Sequence, residues 1–423
     1  MHRMIRRAPF TTPVALLALV LAPAATAFNI PLPFRTDSPP PRAQSCTIIY
    51  AYDGHVALAG NNEDWNDPFA ATITFLPAEE GKHGRVCLGW GPEWPQGGMN
   101  DQGLFYDAAT AETVEVPRDP GKPDLEGSTI QKAMEECATV DEVLAYFDRY
   151  DVSGTWNGHY LIGDRFGNSA IIEPLTVIRK GGRYQVITNF LQSKTPPEAS
   201  GDVRYHLVTG ILEESAEFTV DVIRRTLSAT HWEECGEQMT TTLYSNICDL
   251  THGEIYLYNF HNFEDVVKIN LAEELAKGER SVSIGALFPC ETWAERRYRD
   301  SWVRDRLYEK VIGNGMDGPE GAIAFYHRLA FPDPPRVPYV VTQHQLNALG
   351  YQLLRDEKID EAIGIFRLNV SEHPDWANGY DSLGEGYMRA ERVELAIRNY
   401  EKSLQFDPTN RNAVEMLDQL RAR

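Results

Sequence analysis

Residues 46–65 read CTIIYAYDGHVALAGNNEDW, and the reading of the fold starts from this stretch. Two runs rich in β-branched and aromatic residues, CTIIYAY and VALAGNN, flank Asp53-Gly54-His55, which is the pattern of strand, tight turn and strand. Outward from it the same texture returns at TITFLPA (72–78), RVCLGWG (85–91), HYLIGD (159–164), SAIIEP (169–174), LTVIRK (175–180), YQVITNF (184–190), TTLYSNICDL (241–250) and EIYLYNF (254–260). Gly181-Gly182 between two of these runs reads as a second hairpin turn. Helical periodicity is inserted at Ser128 to Cys137, at Val140 to Tyr150 with Thr139 as N-cap, at Arg204 to Glu214 and at Val220 to Leu227. Strands in runs with helices in pairs between them predict an α+β domain with antiparallel sheets over 46–290, not a doubly wound parallel sheet.

The whole chain has 423 residues, 43% of them apolar and 10% aromatic, which excludes a disordered chain or a disulfide-only mini-protein. Its formal net charge of −21 repels polyanions, so neither a nucleic acid nor an anionic membrane surface is an expected partner. No stretch beyond the amino terminus is long and apolar enough to span a membrane.

The amino terminus itself has the form of an export signal: Arg3, Arg6 and Arg7, an apolar run from Val14 to Leu21, and the small residues Ala25-Thr26-Ala27. Removal of residues 1–27 is expected, leaving a chain of charge −24, exported to the periplasm or secreted. Residues 28–45 hold five prolines in eighteen positions and read as an extended leader. Export permits disulfides, but the cysteines at 46, 87, 137, 235, 248 and 290 leave the pairing open. They form no CxxC pair, and there is no HExxH, so a zinc site of ordinary spacing is not supported; nor is a phosphate loop or dinucleotide fingerprint present.

Past Thr292 the chain becomes helical and charged, with a proline-rich break from Pro332 to Pro338. Residues 291–341 are read as a helical linker. Leu349-Gly350, Leu353, Ala362, Phe366 and Pro374 then return 34 residues later as Leu383-Gly384, Tyr387, Ala396, Tyr400 and Pro408. That period and those residue types are the tetratricopeptide pattern, in which small residues let two helices pack closely around an aromatic. An all-α repeat domain over 342–423 is expected, capped by a helix from Asn412 to Leu420, with a protein or peptide as its possible partner. Two repeats are few for a continuous core, so the pair should lean on its cap or on the first domain.

The chemistry is sought where polar residues interrupt the strands: Cys46 at the start of the first strand, Gly60-Asn61-Asn62-Glu63-Asp64-Trp65 after the hairpin, Gly98-Met99-Asn100-Asp101-Gln102-Gly103-Leu104, Thr188-Asn189 at a strand end, and Arg204-Tyr205 opening a helix. In this order and spacing, over about 46–260, the chain resembles the choloylglycine hydrolase family of amino-terminal nucleophile hydrolases, which includes bile salt hydrolases and penicillin V acylases, and the related isopenicillin N acyltransferases. The resemblance implies a four-layer fold of helix, sheet, sheet and helix. It also implies a precursor that cuts itself before Cys46, so that residues 28–45 are a pro-segment. The new terminus would then supply a thiol nucleophile and an α-amine whose ordinary pKa of about 7.7–8.0 suits a general base.

Carried over residue by residue, the resemblance makes Asp64 the partner of that amine, Asn100 and Asn189 donors to the oxyanion, and Arg204 the organiser of the site. The reaction implied is hydrolysis of a linear, non-peptide amide of a small N-acyl compound through a Cys46 thioester, with no cofactor or metal needed. Asn61 and Asn62 are expected beside the substrate, and Asn61 is a departure, because bile salt hydrolases carry arginine there. Trp90 and Trp94 are candidate walls of an apolar acyl pocket. Acyl transfer to an amine, a dipeptidase activity, and a non-catalytic binding role through the repeats are the alternatives.

Overall fold

The computed structural model describes residues 46–91, 94–233, 240–313, 318–330 and 339–422. The export signal, the leader 28–45, Cys235 and the break at 332–338 lie outside the described residues.

The strands in chain order are β1 (Thr47–Tyr52), β2 (Ala57–Trp65), β3 (Thr72–Leu76), β4 (Arg85–Gly89), β5 (Pro95–Asn100) and β6 (Leu104–Val116). Helices α1 (Thr129–Glu136) and α2 (Val140–Arg149) follow, then β7 (Gly154–Asp164), β8 (Ser169–Glu173), β9 (Thr176–Arg179) and β10 (Tyr184–Ile187). After α3 (Val203–Glu214) and α4 (Val220–Thr230) come β11 (Thr241–Asp249), β12 (Glu254–Asn259), β13 (Asn262–Asn270), the short α5 (Leu271–Leu275) and β14 (Arg280–Ser283). One sheet has the order β10-β1-β2-β11-β12-β13, the other β14-β3-β4-β5-β6-β7-β8-β9, and every pairing in both is antiparallel.

Strand alternation sorts the apolar residues into three cores, because successive side chains point to opposite faces. Ile48 and Tyr50 meet Ile73, Phe105, Leu161 and Ile171 between the sheets. Ile49, Ala51 and Leu58 face the other way onto Val208, Ile223 and Leu227 of α3 and α4. Leu104, Tyr106 and Ile162 pack on Ile130, Met134 and Val143 of α1 and α2. The result is four layers, helix, sheet, sheet and helix. Each fully buried Ile, Leu or Phe in them stabilises the fold by roughly 1.5–3 kcal/mol.

The first hairpin is as expected: Gly54 has φ 99°, and the Asp53 carboxylate accepts from the backbone N–H groups of His55 and Val56 at 3.0 and 3.1 Å. Thr139 caps α2 in a capping box with Glu142. The Gly181-Gly182 turn is not a hairpin. β9 pairs with β8 while β10 pairs with β1, so this turn carries the chain from one sheet to the other. The five described cysteines, Cys46, Cys87, Cys137, Cys248 and Cys290, are free thiols, so none of them forms a disulfide with another.

The carboxyl-terminal region is all helical: α6 (Trp293–Ile312), α7 (Gly318–Ala330), α8 (Gln343–Arg355), α9 (Ile359–Glu372), α10 (Ala377–Arg389), α11 (Val393–Phe406) and α12 (Arg411–Arg421). Pairs α8/α9 and α10/α11 are the two tetratricopeptide repeats, and α12 is the cap. At Gly350 a Cβ would sit 2.2 Å from the Phe366 ring, so only glycine admits that aromatic. The segment read as a linker is part of the stack. Trp302, Val303, Leu307 and Tyr326 of α6 and α7 belong to the same core as Leu349, Phe366 and Tyr400. This is where the support expected for an isolated repeat pair comes from. Helix α6 also holds the stack to the sheets, since Asn259 donates to the Glu295 carboxylate at 2.9 Å and the Tyr298 hydroxyl to the Asn66 carbonyl at 3.3 Å. No helix among the described residues is long and apolar enough to cross a membrane.

Candidate active site

Cys46 stands at the head of β1, between β10 and β2 in the smaller sheet. The register Thr47 to Asn62 and Ile48 to Asn61 brings the start of β1 against the end of β2, so the residues that interrupt the apolar pattern of β2 gather around the cysteine. Alternation then divides them. Asn61 and Glu63 share the inter-sheet face with Cys46: the thiol lies 3.8 Å from Glu63 Oε1, and Asn61 Nδ2 donates to Glu63 Oε2 at 2.9 Å. Asn62 points the opposite way, where it donates to the Leu227 carbonyl of α4 at 2.9 Å and accepts from the Ser245 hydroxyl at 2.6 Å.

Arg204 ties the cluster together. It follows Val203 at the start of α3, where Asp202 as N-cap accepts from the backbone N–H groups of Arg204 and Tyr205 and also from the guanidinium at 2.9 Å. From there one guanidinium nitrogen donates to the Cys46 carbonyl at 3.1 Å and lies 3.9 Å from Asp64 Oδ2; the other donates to Asn189 Oδ1 at 2.8 Å. Asn189 Nδ2 donates in turn to the carbonyl and hydroxyl of Thr110 at 2.9 and 3.1 Å. Asp64 takes the Thr242 hydroxyl on Oδ1, while its buried Oδ2 has no hydrogen-bond donor. The structure thus brings together four of the five residues proposed as catalytic, Cys46, Asp64, Asn189 and Arg204, from β1, β2, the end of β10 and α3.

Asn100 is not among them. Its amide donates to the Met134 and Cys137 carbonyls at 3.0 and 2.8 Å, and its Oδ1 accepts from the backbone N–H groups of Gln102 and Leu104, both at 3.1 Å. All of its capacity is committed to closing the β5–β6 turn and satisfying the end of α1, so an oxyanion role is withdrawn. Asn62, committed to α4 and β11, is likewise withdrawn as a substrate contact. Trp90 stacks on Trp65 at 5.1 Å and meets the Tyr244 ring edge-on at 6.3 Å, forming an aromatic wall beside the cluster. Trp94 is 40% exposed.

Four participants were missed in the sequence: Thr110, Asp107, Asp202 and Thr242. Asp107 is an acid inside an otherwise apolar run, LFYDAA, and that interruption was the available signal. Its carboxylate fits because residue 97 is glycine, where a Cβ would sit 2.2 Å from Asp107 Oδ2.

Burial governs the protonation states. It raises the Cys46 thiol well above its ordinary value, reinforced by the charges of Glu63 and Asp64, so the thiol is protonated and weakly nucleophilic. Desolvation lifts Asp64 to about 8, against the opposing pull of Thr242 and Arg204. Asp107 is lifted to about 8 by burial, and Glu63 upward by burial and by Asp107. A cavity of about 730 Å³ lies elsewhere, between Phe69, Phe288, Arg296 and Tyr339, and none of the cluster residues lines it. Among the described residues no group of three or more His, Cys, Asp or Glu could hold a metal ion.

No protein-family profile matches the chain. Among curated proteins, 77 residues are 34% identical to tetratricopeptide repeat domain-containing protein PYG7, chloroplastic, of Arabidopsis thaliana, over 18% of this chain and 26% of that protein. The chain therefore spans about a quarter of the length of the curated relative it matches. Among solved structures it is similar to a mutant of conjugated bile acid hydrolase from Clostridium perfringens, at 15% identity and a TM-score of 0.44, over 56% of this chain and 95% of that one. It is similar to penicillin V acylase from Agrobacterium tumefaciens at 15% identity and a TM-score of 0.44, over 56% and 91%. The first tetratricopeptide domain of Spaghetti (RPAP3), bound to an HSP90 peptide, matches at 19% identity and a TM-score of 0.21, over 29% and 92%.

Proposed function

We propose that this chain is an exported, self-processed amino-terminal nucleophile hydrolase that cleaves linear, non-peptide amides of small N-acyl compounds. The single observation that carries the reading is the Arg204 hub, which hydrogen-bonds the Cys46 carbonyl and Asn189 and lies within ion-pair distance of Asp64 at 3.9 Å.

In the uncut chain the thiol has no amine beside it. Cleavage before Cys46 would create one, at the end of the strand that faces β2. Asp64, whose buried Oδ2 lacks a donor, is suited to accept from the α-ammonium and hold it in place. The free amine takes the thiol proton, the thiolate attacks the amide carbonyl, and the ammonium returns its proton to the leaving amine. Water then releases the acid from the thioester. Arg204 positions the nucleophile strand and stabilises developing negative charge, and Asn189, whose own amide is committed to Thr110, holds the guanidinium in place; removing a donor to the developing charge typically costs about 2.7–4 kcal/mol. Trp65, Trp90 and Tyr244 supply apolar walls for an acyl group. The repeats are proposed to serve a protein or peptide partner.

N-acyl p-nitroanilides of graded acyl length test this directly. Release of p-nitroaniline, with a transient acyl mass on the Cys46 peptide that is absent in Cys46→Ala, is the expected result. Release that persists in Cys46→Ala contradicts the assignment.

A further inference from the structure

The catalyst just described has a gap at its origin. An α-amine cannot assist the cut that creates it, so the uncut chain needs another base for the Cys46 thiol. The charged groups facing that thiol are Glu63 and Asp64 on β2 and Asp107 on β6. Asp64 lies on the outer face with Arg204 and Thr242, and Arg204 is directed at the Cys46 carbonyl oxygen, not at the sulfur. Glu63 is the side chain that reaches the sulfur, with Oε1 3.8 Å from Sγ.

Glu63 also has a partner of unusual kind. Asn61 Nδ2 donates to its Oε2 at 2.9 Å and the same amide favours the charged form of Asp107, so one side chain stands beside two carboxyls in the layer between the sheets. Glu63 and Asp107 are 1% exposed, and no lysine or arginine is among the groups that shift them. Two carboxyls in that setting cannot both ionise readily; each raises the other's affinity for a proton, so the carboxylate that does form at Glu63 has raised basicity. Nothing in packing requires this pair, since a buried acid without a cation is destabilising by itself.

Resting on the reading that Cys46 is the nucleophile, we infer that Glu63, backed by Asp107 through Asn61, is the general base for self-cleavage at the Ser45–Cys46 bond. The carboxylate takes the proton from Sγ, and the thiolate attacks the Ser45 carbonyl carbon. The carboxyl then gives that proton to the departing nitrogen as the C–N bond breaks. The products are the free α-amine of Cys46 and a Ser45 thioester on Sγ, which water hydrolyses to the Ser45 carboxylate and the thiol. The base that starts the reaction is regenerated by it. Thereafter the α-amine is available and Glu63 is no longer needed as the base.

The test is full-length chain made by cell-free synthesis and sampled by intact mass over time, as wild type, Cys46→Ala, Glu63→Gln and Asp107→Asn. Glu63→Gln is expected to slow self-cleavage at least about a hundredfold, the lower edge of what a general base contributes, with a smaller slowing for Asp107→Asn. Hydroxylamine, which opens thioesters, should accelerate loss of residues 1–45 from wild type but not from Glu63→Gln. Wild-type-like cleavage of Glu63→Gln overturns the inference and leaves the function intact, as does rescue of that variant by hydroxylamine. Absence of cleavage in wild type overturns both.

Should Glu63→Gln fail to fold, the unmutated chain still decides. With Cys46, Asp64, Asp107 and Tyr244 as the titratable groups facing Glu63, a carboxylate base predicts a cleavage rate that rises with pH and then reaches a plateau once Glu63 has ionised. A rate that climbs tenfold per pH unit with no plateau over the range in which the chain stays folded marks direct ionisation of the buried thiol and excludes the carboxyl pair.

Discussion

Asn100 and Asn189 read from the sequence as equivalent oxyanion donors; both amides are committed in the structure, Asn100 to the end of α1 and Asn189 to Thr110, and what separates them is that Asn189 also accepts from Arg204 beside Cys46. For Asn100→Ala, which leaves the α1 carbonyls without donors, we expect a loss of about 1–3 kcal/mol in denaturant unfolding and little change in activity per folded molecule. For Asn189→Leu we expect activity to fall about 10²-fold, because Arg204 loses its acceptor at the site. The buried acids give the stability of the chain a pH signature. Asp107 has a folded pKa of about 8 against 3.8 unfolded, so between those values the folded state binds more protons, and stability present at low pH is lost as pH rises through 8. Asp64 acts in the same direction. His261, lowered to about 4, acts oppositely between pH 4 and 6.5, and lowered carboxyls such as Asp53 and Asp221 act only lower still. Urea unfolding of Cys46→Ala, which the proposed mechanism leaves uncut, should therefore show lower stability at pH 8.5 than at pH 7, and adding Asp107→Asn should flatten that slope. An unchanged slope would show that Asp107 ionises freely.

At the scale of elements, what was legible had local punctuation. Asp53-Gly54 marks its own turn, Thr139 its own capping box, and the return of Gly350 as Gly384 its own repeat. Strands β5 and β6 were missed because Gly97 and Gly98 remove the β-branched signal and Asp107 breaks the apolar alternation; Gly97 makes room for the buried Asp107 carboxylate and Gly98 for the Val86 carbonyl. The second hairpin was misread because Gly181-Gly182 states only that the chain turns. Which sheet each flanking strand joins is settled by partners far away in sequence, β8 for one and β1 for the other. The repeat pattern itself makes a graded prediction. Gly350→Ala drives a Cβ to 2.2 Å from the rigid Phe366 ring, whereas Gly384→Ala meets Tyr400 at 3.1 Å. Thermal unfolding should show Gly350→Ala destabilising by about 1–3 kcal/mol, and Gly384→Ala close to neutral because the helix propensity gain of up to about 1 kcal/mol offsets the tighter contact.

In the whole molecule, α6 is the member that makes one body of two architectures. It carries Tyr298 into the inter-sheet core and Trp302 into the helical core, and Phe69 from the sheet domain returns the contact, edge-on to Trp302 at 5.7 Å and to Tyr339 at 5.4 Å. Phe69→Ala should lower the unfolding temperature of the helical stack and separate its transition from that of the sheets in calorimetry; a single unshifted transition would show that the junction contributes nothing. This junction was not legible, because the charged texture of 292–311 reads as a solvated linker until its apolar stripe is given two cores to face. The order of the site residues along the chain was legible and their convergence was not, since it depends on α3 docking beside β1. The most direct test of the account is the amino-terminal sequence and intact mass of the purified protein beside its Cys46→Ala variant. The account predicts a wild-type chain that begins at Cys46 and a variant that retains the residues before it. If both begin at the same residue upstream of Cys46, there is no α-amine on the nucleophile and the hydrolase proposed here does not exist.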